Sequence, residues 1–124
     1  MYIDQKSVPA MLKTVSIAGI EEQGVPFKRE STSLDEATKH VSIGNLTWIE
    51  CVVDDIVSET PKILEKLNIK MDSSTLLSGY LTEYEDIGDT LGIMVPFIFT
   101  GENRTQTSPC LIFMKKDLIV TIHD

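Results

Sequence analysis

"CLIFMKKDLIVTIHD", from Cys110 to Asp124, is the stretch whose reading decides the fold. Two runs of strand formers, "CLIFM" and "LIVTI", flank Lys115-Lys116-Asp117, which has the composition of a tight hairpin turn. Runs this apolar predict strands covered on both faces. They also continue almost to the last residue. The expectation is therefore a terminus at the edge of the core instead of in a solvated tail.

Working outward, "DTLGIMVPFIFT" precedes this pair across the polar loop "GENRTQ", so three consecutive antiparallel strands are predicted to close the domain. Pro96 places a break, a bulge or an edge in the first of them, because proline cannot donate to a ladder. Further back, "LTWIECVV" (Leu46 to Val53) is rich in β-branched and aromatic residues and reads as a strand ended by Asp54-Asp55. "SETPKILEKLNI" follows as a helix. Ser58 or Thr60 would cap it, Pro61 would sit in its first turn, and Ile63, Leu64 and Leu67 would share its inner face while Glu65 and Lys66 face water. In "MDSSTLLSGYL", Asp72 or Ser73 would cap a shorter helix closed by Gly79, with Leu76 and Leu77 turned inward.

The N-terminal third carries weaker signals. "MLKTVSIAG" reads as a first strand ended by Gly19, and Gly24 with Pro26 marks a turn before a short second strand. "STSLDEATKHV" has Ser33 followed by Glu36, the spacing of a capping box, so a helix of about two turns should follow and end at Gly44-Asn45. The predicted class is α/β (α+β): a mixed β-sheet with a C-terminal antiparallel part, flanked by short helices. At 124 residues it is one soluble domain, 1–124.

Composition narrows the function classes. Nineteen acidic and 11 basic residues give a net charge of −8, and the longest basic runs are Lys28-Arg29 and Lys115-Lys116. That argues against a phosphate-backbone partner, which needs clustered cations. Cys51 and Cys110 lie in apolar runs without CxxC spacing, so two buried thiols in a reducing compartment are expected, with a bridge possible but unneeded. With no signal peptide visible, the sequons at Asn45 and Asn103 read as chance. The longest apolar run, Leu91 to Phe99, has nine residues, against about 20 for a membrane span.

Catalytic chemistry is thinly supplied. His40 lies near the end of a short helix and His123 closes the last strand, neither with an obvious partner, and no GxGxxG, GxxxxGK[ST] or HExxH occurs. The densest carboxylate cluster is "EYEDIGD", with Glu83, Glu85, Asp86 and Asp89. Its oxygens would suit a hard cation, but it lacks the pattern of a calcium loop and reads as a solvated turn leading into a strand. Tyr80 and Tyr84 read as packing residues with polar tips.

Taken in order, "TWIECVVDDIVSETPKILEKLNI" (Thr47 to Ile69) and "CLIFMKKDLIVTIHD" resemble the soluble N-terminal domain of the CorA family of magnesium and cobalt transporters. Trp48, Ile49, Glu50, Leu64, Leu67, Ile69, Ile93, Lys116, Leu118, Val120, Thr121 and His123 occupy the places that carry the resemblance. It covers about the last two-thirds of the chain; the first 46 residues match only in general pattern. The resemblance implies a non-enzymatic regulatory domain on the cytoplasmic side of the cell membrane. The stalk helices, two membrane spans and the Gly-Met-Asn pore signature would then lie beyond Asp124.

It further implies a homo-pentamer in the whole protein, with Mg²⁺ or Co²⁺ as transported and regulatory ion and no cofactor in the fragment itself. The fragment would be monomeric or weakly associated. The sequence departs from the family where the metal-sensing acids are expected, since no acid lies between Asp72 and Glu83. No metal ligand and no catalytic residue is therefore assigned, although Asp72, Glu83 and Glu85 are where a metal would be sought. The competing readings are a stand-alone α/β interaction or small-ligand-binding module, and an enzyme converging His123 or His40 on the acidic cluster.

Overall fold

The computed structural model describes residues 12–124 except 22, 32, 44, 45, 78–82, 88 and 103. The side chains of residues 12, 42, 43, 75, 83–87, 97 and 99 also fall outside the description. The elements run β1 (Leu12–Ile20), β2 (Pro26–Ser31), α1 (Asp35–Ile43), β3 (Leu46–Val53), α2 (Ile56–Lys66), α3 (Ser73–Leu77), β4 (Glu83–Ile87), β5 (Thr90–Gly101), β6 (Arg104–Lys115) and β7 (Leu118–His123). The seven strands form one sheet in the order β2-β1-β3-β7-β6-β5-β4. Among the described residues only the β3–β7 pair is parallel, so the predicted mixed sheet and α+β class are observed.

Register explains the core. Ile49 lies opposite Ile17 on β1 and Val120 on β7, Phe113 lies opposite Val120, and Met94 opposite Leu111. Because side chains alternate with period two, these residues share one face, and all of them are buried. Leu34 and Ala37 of the α1 region, Ile63 and Leu64 of α2, and Leu76 of α3 join them in one hydrophobic cluster. The three helices therefore lie on that face. Cover on both faces, as the apolar runs suggested, is met on one face only among the described residues.

Several local expectations need correction. The second helix begins at Ile56, and its cap is Asp55: Oδ1 accepts the Val57 N–H at 3.1 Å and Oδ2 accepts the Ser58 hydroxyl at 2.9 Å. Ser58 and Thr60 are thus inside the helix, and Pro61 lies past its first turn. The proline is tolerated because it is on the solvent side: the carbonyl deprived of its N–H belongs to Val57, whose residue is exposed. At the other end Asn68 adopts a left-handed φ of 57°. Its N–H bonds the Glu65 carbonyl at 3.1 Å while the Ile69 N–H bonds that of Leu64 at 2.8 Å, which makes a Schellman cap.

The Ser33–Glu36 capping box does not close. Ser33 Oγ accepts the Asp35 N–H at 3.2 Å, but the Glu36 carboxylate pairs with Arg29 of β2 instead of reaching back. A cationic partner on the adjacent strand wins over a single neutral backbone donor. The expected end at Gly44-Asn45 lies outside the described residues, as do Gly79 and Tyr80. Of the two candidate caps of α3, Asp72 is the one observed, its Oδ1 accepting from Ser74 N–H at 2.9 Å and Ser74 Oγ at 2.6 Å, while Ser73 is the first helical residue.

The C-terminal half is more extended than predicted. "EYEDI" is strand β4, not a solvated turn, and "GENRTQ" is mostly strand, since Gly101 already pairs with Arg104. Lys116 and Asp117 do form the tight turn, with Asp117 at φ 63°. Pro96 makes neither a break nor a bulge in the described pairing, since the β5–β6 register runs unshifted through Pro96 and Pro109; the described residues of β4 pair with β5 as far as Met94.

Truncating Ile49, fully buried at the sheet centre, to alanine should cost about 3 kcal/mol through lost burial and a residual cavity. Asp55→Ala should cost about 1 kcal/mol through the lost cap. Urea unfolding monitored by circular dichroism checks both; a silent Asp55→Ala beside a costly Ser58→Ala would return the helix start to where sequence placed it.

Candidate functional site

The sheet places the two histidines on opposite faces. His40 of α1 stacks on Phe27 of β2 with ring centroids 4.4 Å apart, and Phe27 packs against the core on the helix-covered face. His123 lies on the opposite face, where its Nε2 is 4.0 Å from Glu50 Oε1. Asp72 is exposed and engaged by Ser74, whose hydrogen bonds hold its carboxyl below the usual range. Glu83 and Glu85 lie two positions apart on β4, with side chains outside the description. Among the described residues no three His, Cys, Asp or Glu side chains are placed to hold a metal ion.

The surface that does stand out is the face of the sheet opposite the helices. In β3, Leu46, Trp48, Glu50 and Val52 alternate with the buried Thr47, Ile49, Cys51 and Val53. In β7, Ile119, Thr121 and His123 alternate with the buried Leu118, Val120 and Ile122. Register sets Trp48 beside Ile119, Glu50 beside Thr121 and Val52 beside His123, with Met114, Ile112 and Cys110 next on β6. Ile93 and Leu91 of β5 continue the same rows. The result is an apolar band across at least four strands with one carboxylate–imidazole approach inside it.

Details of the band follow from its chemistry. Trp48 is 48% exposed, and its indole N–H donates to Thr121 Oγ1 at 3.2 Å, so the ring lies against the strand and leaves an apolar flank open. Parallel pairs such as β3–β7 are usually covered on both faces. A band of this kind suits contact with another apolar element, and the Glu50–His123 approach would fix its register. The alternation within "LTWIECVV" and "LIVTIH" could have revealed it. It was obscured because both parities are apolar, so sequence alone gave no reason to leave one side open.

Both thiols are chemically quiet. Burial pushes Cys51 up to about 12, with the Glu50 charge adding to the effect, and the same two causes raise Cys110. They are free, as expected. No described helix is long and apolar enough to cross a membrane.

No protein-family model matches the sequence, and no curated protein does. Among solved structures, 21 chains match its fold. One is the soluble domain of CorA from Methanocaldococcus jannaschii, at 21% identity and a TM-score of 0.55; the match covers 94% of this chain and 42% of that one. The chain has a CorA-like fold and spans less than half of the chain it matches.

At pH 8 neither cysteine should react with an aromatic disulfide reagent in the folded protein, because the reactive species is the thiolate, whereas both should react in denaturant. A rapidly titrating native thiol would contradict the burial of Cys51 and Cys110.

Proposed function

We propose that this chain is the cytosolic regulatory domain of a CorA-like divalent-cation transporter. The observation that carries the reading is the fold likeness over 94% of the chain, in the same stretches where Trp48, Leu64, Leu118 and His123 carry the sequence resemblance. The domain is non-enzymatic and sits on the cytoplasmic side of the cell membrane. Helices and membrane spans beyond Asp124 complete a homo-pentamer. The open band across Trp48, Ile112 and Ile119 is where a larger molecule covers this sheet.

In that molecule intracellular Mg²⁺ or Co²⁺ favours one arrangement of the subunits over another, in proportion to its differential affinity for the two. Hard cations need several converging oxygens. The exposed Asp72 offers one carboxylate already bonded to Ser74, and in this reading residues from outside this chain complete the sensing site. The open band also favours a second reading, a stand-alone module that docks a partner through the same face.

Reading the source gene onward from the codon for Asp124 distinguishes the two. Charged helical sequence followed by two apolar runs of about 20 residues is the expected result, and an immediate stop codon would leave only the module. For the domain itself, a few millimolar Mg²⁺ should move the melting temperature by about a degree or less, since binding stabilises only as far as a site exists. A rise of many degrees would place a complete metal site within residues 1–124.

A further inference from the structure

Between α2 and α3 the chain runs from Asn68 to Asp72, and two apolar side chains hold it down. Ile69 is buried in the core, and Met71 packs against the same cluster from a partly buried position. Lys70, between them, is exposed. What receives Met71 is a glycine. Gly92 of β5 lies opposite Phe113 on the helix-covered face. A Cβ at this position would overlap Met71 Sδ and would stand 3.1 Å from Leu76 Cδ1 and 3.3 Å from Phe113 Cδ1. The thioether therefore takes the space that a side chain at position 92 would fill, and the missing Cβ permits the close approach.

The other described methionines are placed differently. Met94 faces the same side but is 5% exposed, and Met114 belongs to the open face. Met71, by contrast, lines an open groove with Pro61, Leu64 and Glu65 while its sulfur reaches the sheet. One side of the residue is thus open to solutes, and the other depends on the sulfur staying apolar.

We propose that Met71 is an oxidation-sensitive latch on the α2–α3 connection. A hydroperoxide entering the groove converts the thioether to a sulfoxide, which leaves its place at Gly92 and releases the connection from β5. The step balances with hydrogen peroxide alone: a sulfur–oxygen bond forms as the oxygen–oxygen bond breaks, sulfur loses two electrons, and the peroxide leaves as water. The new oxygen is a strong acceptor, and Leu76 and Phe113 offer it no donor, so keeping it buried is disfavoured. Sulfoxide reduction reverses the change. The latch does not rest on the transporter reading.

Treating the folded 124-residue chain with hydrogen peroxide, then measuring the melting temperature and mapping oxygen addition by peptide mass spectrometry, tests this. The expected result is a fall of about 5 °C that grows with the fraction of Met71 sulfoxide and is undone by methionine sulfoxide reductases. Met71→Leu, a swap of similar volume, should keep its melting temperature through the same treatment, whereas Met114→Leu should lose as much as the unsubstituted chain. Three results would overturn the proposal. They are a Met71 that gains no oxygen while Met114 does, a Met71 fully converted with the melting temperature unchanged, and a Met71→Leu chain that loses as much stability as the original.

Discussion

The parallel pairing of β3 with β7 is the constraint on which the rest depends. It sets Thr47 to Val52 beside Leu118 to His123, so the whole intervening chain has to leave one end of the sheet and return at the other. Parallel neighbours need a long crossover, and α2 and α3 supply it on one face. The remaining length folds back as the β4–β5–β6 meander, which adds strands on the far side of β7. The described N-terminal strands, β1 and β2, are laid down on the other side of β3. Without this pairing the chain would be two separate antiparallel units, each short of a core.

One consequence is asymmetry between the faces. The crossover helices bury Ile49, Val53, Leu111 and Val120, while the reverse parity of the same strands presents Trp48, Ile112 and Ile119. Apolar side chains on both parities of β3, β6 and β7 mean that one sequence pattern serves both a finished core and an unfinished one. The Trp48–Thr121 hydrogen bond and the Glu50–His123 approach tie the two parallel strands together on the open side. The candidate site accordingly lies on this open apolar band, while His40 and His123 are divided between opposite faces.

Legibility in the sequence varied with the source of each signal. "LTWIECVV" was readable to the residue because its boundaries, Asn45 before and Asp54-Asp55 after, are local breakers and its interior is uniformly strand-forming. Asp72 as a cap and Lys116-Asp117 as a turn were readable for the same reason. The start of α2 was misplaced because Ser58, Thr60 and Pro61 are strong local signals. They were overridden when Ile56 packed into the core and Asp55 took the cap. Likewise Glu36 was committed to a capping box that Arg29, a residue on another element, broke. Of the candidate site, the residues Trp48, Glu50 and His123 were named from the resemblance, but their common face was not.

By itself the sequence determined most of the strand and helix segments, that one mixed sheet results, that both cysteines lie in apolar runs, and that no familiar catalytic motif is present. These are local properties: breakers, propensities, spacings and charge. Only the tertiary structure decided which parity of each strand is buried, that β4 and the β5–β6 ribbon extend beyond the predicted loops, and that Pro96 and Pro109 lie opposite each other. Burial parity depends on where the crossover helices land and strand extension on a pairing partner, both of them contacts between residues far apart in the chain.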